Sequence, residues 1–174
     1  MKPYIALLRG INVGGKVVKM EALRNVFNEM GFENVTTYIQ SGNVLFSAVE
    51  EQADGLAAHI SEKLQEAFGF PIPVIIRTVE EWSEVIQANP FAGQEPYVTF
   101  LDAKPEQNAI FALEIFAEDF EEEVRVIGRE VYLICPKGYG KTKLSNALFE
   151  KKLGVSGTTR NWKTVNKLLS LCQK

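Results

Sequence analysis

Hydrophobic residues in the first 78 positions change their period in a fixed order, and that order restricts the available folds more than any single motif does. Pro3 to Arg9 is a strand-like run, followed by a glycine-rich loop. Met20, Leu23, Phe27 and Met30 then recur at spacings of three and four, which predicts an amphipathic helix closed by Gly31. Asn34 to Gln40 and Asn43 to Ala48 are β-rich runs joined by Ser41-Gly42, a short hairpin signal. Leu56, Ile60, Leu64 and Phe68 mark a second helix ended by Gly69, before the apolar strand Pro73 to Arg77. The order is β-α-β-β-α-β, the ferredoxin-like plan within the α+β class.

The rest of the chain repeats much of this order. Thr78 and Glu81 form a capping-box pattern for a short connecting helix bearing Trp82, Val85 and Ile86, which stops before Asn89-Pro90. A strand from Tyr97 to Leu101 leads to a helix opened by Pro105 and carrying Ile110, Leu113 and Phe116. A hairpin follows, Val124 to Ile127 and Glu130 to Ile134, with Gly128-Arg129 suited to a II′ turn that pairs Val126 with Val131 and Val124 with Leu133. Two helices finish the chain, from about Thr142 to Leu153 with Gly154 as cap, and from about Thr159 to Cys172. The expected organisation is a ferredoxin-like subdomain over residues 1–78 and a second, related α+β subdomain with basic C-terminal helices over residues 79–174. No Gly-, Ser- or Pro-rich linker separates them, so the two are expected to pack together. P-Y-V-T-F-L at 96 to 101 echoes P-Y-I-A-L-L at 3 to 8, consistent with duplication.

The net charge of -3 conceals local balances of -1 over residues 1–78, -10 over residues 79–135 and +8 over residues 136–174. A segment at +8 attracts phosphates, nucleic acid or an acidic protein face, unless the acidic segment neutralises it within the fold or across a homodimer. No apolar run approaches the roughly 20 residues needed to cross a bilayer, and no cleavable signal pattern precedes Pro3. A cytoplasmic protein with no membrane partner is expected. Cys135 and Cys172 end apolar stretches and read as reduced, half-buried thiols. One histidine, His59, and no C-x-x-C pair leave little for a transition metal, so neither metal nor cofactor is expected. No G-x-S-x-G elbow is present, and the run Glu118 to Glu123 singles out no catalytic carboxylate pair.

Two loops carry phosphate-like patterns. Gly10 to Val17, G-I-N-V-G-G-K-V, satisfies G-x-x-x-x-G-K, but Val17 stands where a phosphate-binding loop needs Ser or Thr for magnesium. Two readings remain: backbone N–H groups with Lys16 holding an anion beside the first helix, or a tight turn requiring positive φ at Gly14 or Gly15. G-Y-G-K-T at 138 to 142 lacks the upstream glycine and contributes charge through Lys137, Lys141 and Lys143. The last helix opens with T-T-R-N-W-K-T, where Thr158 or Thr159 can cap and Arg160, Lys163 and Lys167 share a stripe. In the ferredoxin-like plan the first and second strands run parallel, so Arg9, Asn12, Gly14, Gly15 and Lys16 are expected beside Gln40, Ser41 and Asn43. Candidate ligand-binding residues are these eight together with Lys137, Lys141, Lys143, Thr159, Arg160, Asn161 and Lys163.

L-R-G-I-N-V-G-G at 8 to 15, T-Y-I-Q-S-G-N-V at 37 to 44 and T-T-R-N-W-K-T-V at 158 to 165 together resemble domain-of-unknown-function family 1697. The resemblance implies a soluble bacterial protein and transfers no activity, substrate or catalytic residue. Function is expected to be binding of a phosphorylated ligand, a nucleotide or nucleic acid. A metal-independent enzyme on a small phosphorylated substrate and a protein-interaction module stand as alternatives.

Overall fold

A computed structural model of the chain, which describes residues 1–50 and 55–173, contains two four-stranded antiparallel sheets with helices packed on them. Contacts divide the chain into Met1–Ser83 with Leu168–Lys174, and Glu84–Lys167. In the first unit β1 (Lys2–Leu8) is central. It pairs antiparallel with β3 (Asn43–Ala48), Tyr4 opposite Phe46, and with β4 (Val74–Thr78), Ile5 opposite Arg77. β2 (Glu33–Tyr38) completes the order β2-β3-β1-β4. Because β2 and β1 are each antiparallel to β3, they run parallel to each other.

α1 (Met20–Glu29) and α2 (Leu56–Phe68) cover one face, where Tyr4, Ala6, Leu8, Leu23, Phe27, Phe46, Ile60 and Leu64 form the core. Each large apolar side chain removed from water there contributes roughly 1.5–3 kcal/mol. Phe46 lies edge-on to Phe27 at 5.3 Å and stacks with Tyr4 at 5.6 Å. The alternate residues Ile5 and Leu7 are buried as well, which is why β1 reads as a continuous apolar run instead of an alternation. The capping box forms as expected: the Thr78 amide donates to Glu81 Oε2 at 2.8 Å and the Glu81 amide to Thr78 Oγ1 at 3.1 Å, opening α3 (Val79–Gln87).

The second unit contains β5 (Tyr97–Leu101), α4 (Gln107–Ala117), β6 (Glu123–Ile127), β7 (Glu130–Ile134), α5 (Asn146–Leu153) and β8 (Gly157–Arg160). α6 (Trp162–Cys172) follows. The sheet order is β6-β7-β5-β8, and its core gathers Leu101, Leu113, Val131, Leu133 and Phe149. Val126 faces Val131 and Val124 faces Leu133, with positive φ at Gly128, as the two-residue turn requires.

Three local expectations are corrected. Residues 157–160 are strand, not the start of a helix, because Thr158 and Thr159 pair with Phe100 and Thr99. Asn161 then caps α6 by accepting from the Thr164 amide at 2.8 Å. α5 begins at Asn146 and not near Thr142, with Ser145 Oγ accepting from the Leu148 amide as its cap. The first hairpin closes through residues 39–42 rather than two residues, since Tyr38 pairs Asn43 and Ile39 adopts φ +51°.

Gly42 has φ +92°, and a Cβ added there would lie 2.8 Å from Leu8 Cβ and 3.0 Å from the Leu8 carbonyl oxygen. Gly14 has φ +56° but open space around it. Gly42→Ala is therefore expected to cost roughly 3 kcal/mol and Gly14→Ala about 1 kcal/mol, measured as shifts in urea unfolding. Equal costs at the two positions would contradict the close approach.

Candidate functional site

The parallel course of β1 and β2 brings three loops to one end of the first sheet. β1 ends at Leu8, whose amide donates to the Gly42 carbonyl at 2.8 Å; the next amide, of Arg9, donates to the Pro73 carbonyl at 3.1 Å. The glycine-rich loop, the 39–42 hairpin and the turn before β4 are thus fastened to the same strand end.

Asn12 joins two of these loops. Its Nδ2 donates to the Gln40 carbonyl at 2.8 Å, and its Oδ1 accepts from the Val18 amide at 2.8 Å. The Asn12 amide donates to the Lys16 carbonyl at 2.7 Å, and the Lys16 amide to the Val13 carbonyl at 3.1 Å, folding residues 12–16 into a tight loop. Asn12 itself takes φ +55°, a conformation Asn tolerates better than most residues. Asn43 is fully buried, and its Nδ2 donates to the Tyr38 carbonyl and to Ser41 Oγ, both at 3.0 Å. Asn12 and Asn43 therefore shape the loops, while Gly14, Gly15, Lys16, Gln40 and Ser41 are exposed and Arg9 is half-buried. Lys16 Nζ lies 5.9 Å from the centre of the Phe70 ring, in the turn leading to β4.

The two loops of this rim carry side-chain charge of one sign. Residues 9–20 contain Arg9, Lys16 and Lys19 with no carboxylate, and residues 34–49 contain no charged side chain. Gly14 and Gly15 both have positive φ, as the tight-turn reading requires.

The other candidates sit in a different setting. Lys137, Lys141 and Lys143 line a groove of about 310 Å³ together with Asp119, Glu121 and Glu122. Lys137 Nζ lies 3.4 Å from Glu121 Oε2, both largely exposed, and Thr142 Oγ1 donates to Glu122. Thr159 belongs to a polar network on the helix-covered face: its Oγ1 lies 2.7 Å from Thr99 Oγ1 and donates to Asn146 Oδ1 at 2.8 Å. Asn146 Nδ2 donates to the Gly157 carbonyl at 3.0 Å, and Glu150 Oε2 accepts from the Gly157 amide at 3.1 Å, which clamps α5 to β8. Arg160 lies on β8, only 8% exposed, and donates to Thr158 Oγ1 at 2.8 Å and the Thr159 carbonyl at 3.0 Å. Burial lowers its pKa to about 10, so it keeps its charge at neutral pH. It does not share a solvated stripe with exposed Lys163, and Asn161 serves as cap.

Sequence reasoning passed over Ile39, which is 51% exposed in the hairpin loop at φ +51°. A β-branched residue in that region costs roughly 1–3 kcal/mol. It also passed over Asn146 and Glu150, for which the spacing of four on one helix face was the available signal. A further groove, of about 530 Å³ between α1 and α2, is lined by Val26, Met30, His59 and Lys63, but Lys63 is paired with Glu66 at 3.4 Å. Among the described residues no three His, Cys, Asp or Glu side chains gather in metal-binding geometry. No described helix is long and apolar enough to cross a membrane.

A family model described as "Protein of unknown function (DUF1697)" matches residues 1–132. The match spans the first two of the three signature strings, while residues 158–165 lie beyond it. No curated protein matches the chain. The solved structure of the conserved bacterial protein SP0830 from Streptococcus pneumoniae is similar over 100% of this chain and 99% of that one, with 22% identity and a TM-score of 0.72. At that identity the likeness concerns the fold.

Both cysteines are free and half-buried. Burial raises the Cys172 pKa to about 11, and burial followed by the charge of Glu122 raises that of Cys135. At pH 8 the Cys172 thiolate is then about one part in a thousand. Its alkylation by iodoacetamide should be slow, rise about tenfold per pH unit up to pH 11, and become fast at pH 8 in denaturant. Rapid native labelling of Cys172 at pH 8 would contradict this environment.

Proposed function

The chain belongs to the DUF1697 family, from which no activity is inherited, and we propose from the geometry of the first unit that it binds a phosphorylated ligand, a nucleotide or nucleic acid, at the rim formed by the glycine-rich loop and the 39–42 hairpin. The observation that carries this reading is the Asn12 bridge between Val18 and Gln40, which holds the loop bearing Lys16, Gly14 and Gly15 to the hairpin, both segments being without a carboxylate of their own. Exposed backbone N–H groups around positive-φ glycines form an anion-binding concavity, and a lysine supplies the charge. Val17 leaves no magnesium hydroxyl, so binding rather than nucleotide hydrolysis is the reading that fits. The lysines of residues 137–143 stand among acidic side chains and make a poorer anion surface. The second-third-first-fourth strand order of both sheets supports reading each half as a ferredoxin-like unit. A binding rim at the ends of β1 and β2 suits that plan.

The test is a thermal-shift screen of the whole chain against nucleotides, sugar phosphates and short oligonucleotides. A ligand at about 100 times its Kd should raise the transition by roughly 5–10 °C. Lys16→Ala and Gln40→Ala should fold normally and lose most of that shift, while Lys141→Glu with Lys143→Glu should keep it. No shift with any phosphorylated compound, or an undiminished shift in Lys16→Ala, removes this function.

A further inference from the structure

The cationic rim also leaves three aliphatic side chains largely in water. Val13 is 59% exposed, Val17 69% and Ile39 51%. The loops that carry them are tied one residue away from Val13 and from Ile39, by the 2.8 Å bond between Asn12 Nδ2 and the Gln40 carbonyl. Val17 flanks Lys16 on its other side. The exposed aliphatic residues and the cation are therefore carried on the two loops that this bond joins.

Ile39 makes the patch costly to keep. Its φ of +51° belongs to Gly and Asn, and a β-branched side chain there is strained. Burial does not repay the strain, because the side chain is half in solvent. Asn at this position would relieve the backbone and lose only the part of the side chain that is buried. Strain of this kind persists only where the surrounding structure enforces it, and such residues cluster at functional sites.

Resting on the phosphate reading above, we infer that the ligand is a mononucleotide, its phosphate at Lys16 and the glycine amides and its base laid across Val13, Val17 and Ile39, with Ile39 setting the preference for a base-bearing ligand. Three aliphatic side chains cover a nucleobase but fall well short of the roughly 800 Å² per partner that a stable protein interface buries. The rim's exposed apolar side chains are Val and Ile, not the Trp, Phe and Leu that favour insertion into a lipid surface, and Phe70 beside Lys16 is partly buried. Successive stacking platforms for single-stranded nucleic acid are aromatic, whereas these side chains are aliphatic.

The experiment is calorimetric titration of the full chain with the four ribonucleoside 5′-monophosphates, ribose 5-phosphate and inorganic phosphate. At least one nucleotide should bind about tenfold or more tightly than ribose 5-phosphate, from apolar area covered by the base. Ile39→Asn should melt at a higher temperature than wild type without ligand and bring the nucleotide and ribose 5-phosphate affinities together. Val17→Ser, at the most exposed of the three positions, should reduce the same preference if Ile39→Asn fails to fold. Lys16→Ala should weaken all phosphorylated ligands alike. Equal binding of nucleotides and ribose 5-phosphate, or a preference unchanged in both apolar variants, overturns the base site while leaving the phosphate site standing. Binding of an oligonucleotide with no binding of any mononucleotide also overturns it. Loss of all phosphate binding in wild type removes both readings.

Discussion

The contact on which the first unit's rim depends is the transfer of two amides at the end of β1 from the sheet ladder to the loops. Leu8 donates to Gly42 at 2.8 Å and Arg9 to Pro73 at 3.1 Å. The first bond requires the hairpin backbone to lie against Leu8, and only a residue without Cβ permits that approach. Once Gly42 is seated there, Asn43 enters β3 opposite Leu7 and its side chain can gather Tyr38 and Ser41. The second sheet fastens its central strand in the same way, Leu101 donating to Arg129 at 2.8 Å and Asp102 to Ser156 at 2.9 Å. Its register follows too: Val98 faces Arg160 as Ile5 faces Arg77. What differs is the chemistry placed on the fastening. Arg9 leads into a loop with three glycines, whereas Asp102 leads to Lys104-Pro105, with the Ser156 amide donating to the Asp102 carboxylate at 3.1 Å. A shared backbone device thus carries a cationic, glycine-rich loop in one unit and a short acidic one in the other.

Charge summed along a chain and charge summed in space are different quantities, and residues 136–174 separate them. Their balance of +8 suggests a polyanion surface. In the fold, Arg160 is buried, Lys152 lies over the Phe116 ring at 4.2 Å, and Lys151 and Lys152 fall in the last turn of α5, where the helix dipole favours cations. Lys137, Lys141 and Lys143 share their groove with Asp119, Glu121 and Glu122. An exposed pair such as Lys137 with Glu121 adds about 0–1 kcal/mol to stability, and its carboxylate opposes the attraction of the lysine for an anion. The loop leading from β1 to α1 carries Arg9, Lys16 and Lys19 and no acidic side chain of its own.

Elements governed by local rules were legible in the sequence. The Thr78–Glu81 box, the Gly128-Arg129 turn with its valine pairs, and the periodicity of α1 and α2 follow from short-range chemistry that the fold leaves intact. The parallel placement of β1 and β2 was legible from the order of elements, and it carried Asn12 to Gln40. What escaped was governed by tertiary context. β8 is four residues long, and Thr158, Thr159 and Arg160 read as a helix entrance because nothing local reveals that β5 lies beside them. Arg77 and Arg160 are buried at 2% and 8% exposure, against the usual preference of arginine, and no sequence pattern announces it. Ile39 escaped for the converse reason: propensity places isoleucine in extended strand, so its left-handed backbone runs against every local signal.

That conflict divides the polar residues of the rim by what they can do. A loop that forces Ile39 to φ +51° must be held by bonds stronger than the strain, and Asn12 and Asn43 supply them through side-chain contacts with the carbonyls of Gln40 and Tyr38. Both Nδ2 donors of buried Asn43 are engaged within the hairpin, and one of Asn12's is engaged with Gln40. Asn43 is therefore scaffold, and Asn12 is chiefly so. The groups that the loop leaves exposed are Lys16, Gln40, Val13, Val17 and Ile39, and on the binding function proposed above recognition would fall to them. Scaffold and recognition are thereby separable by substitution, because replacing Lys16 or Gln40 removes an outward group, whereas replacing Asn12 removes the bond that holds the two loops together.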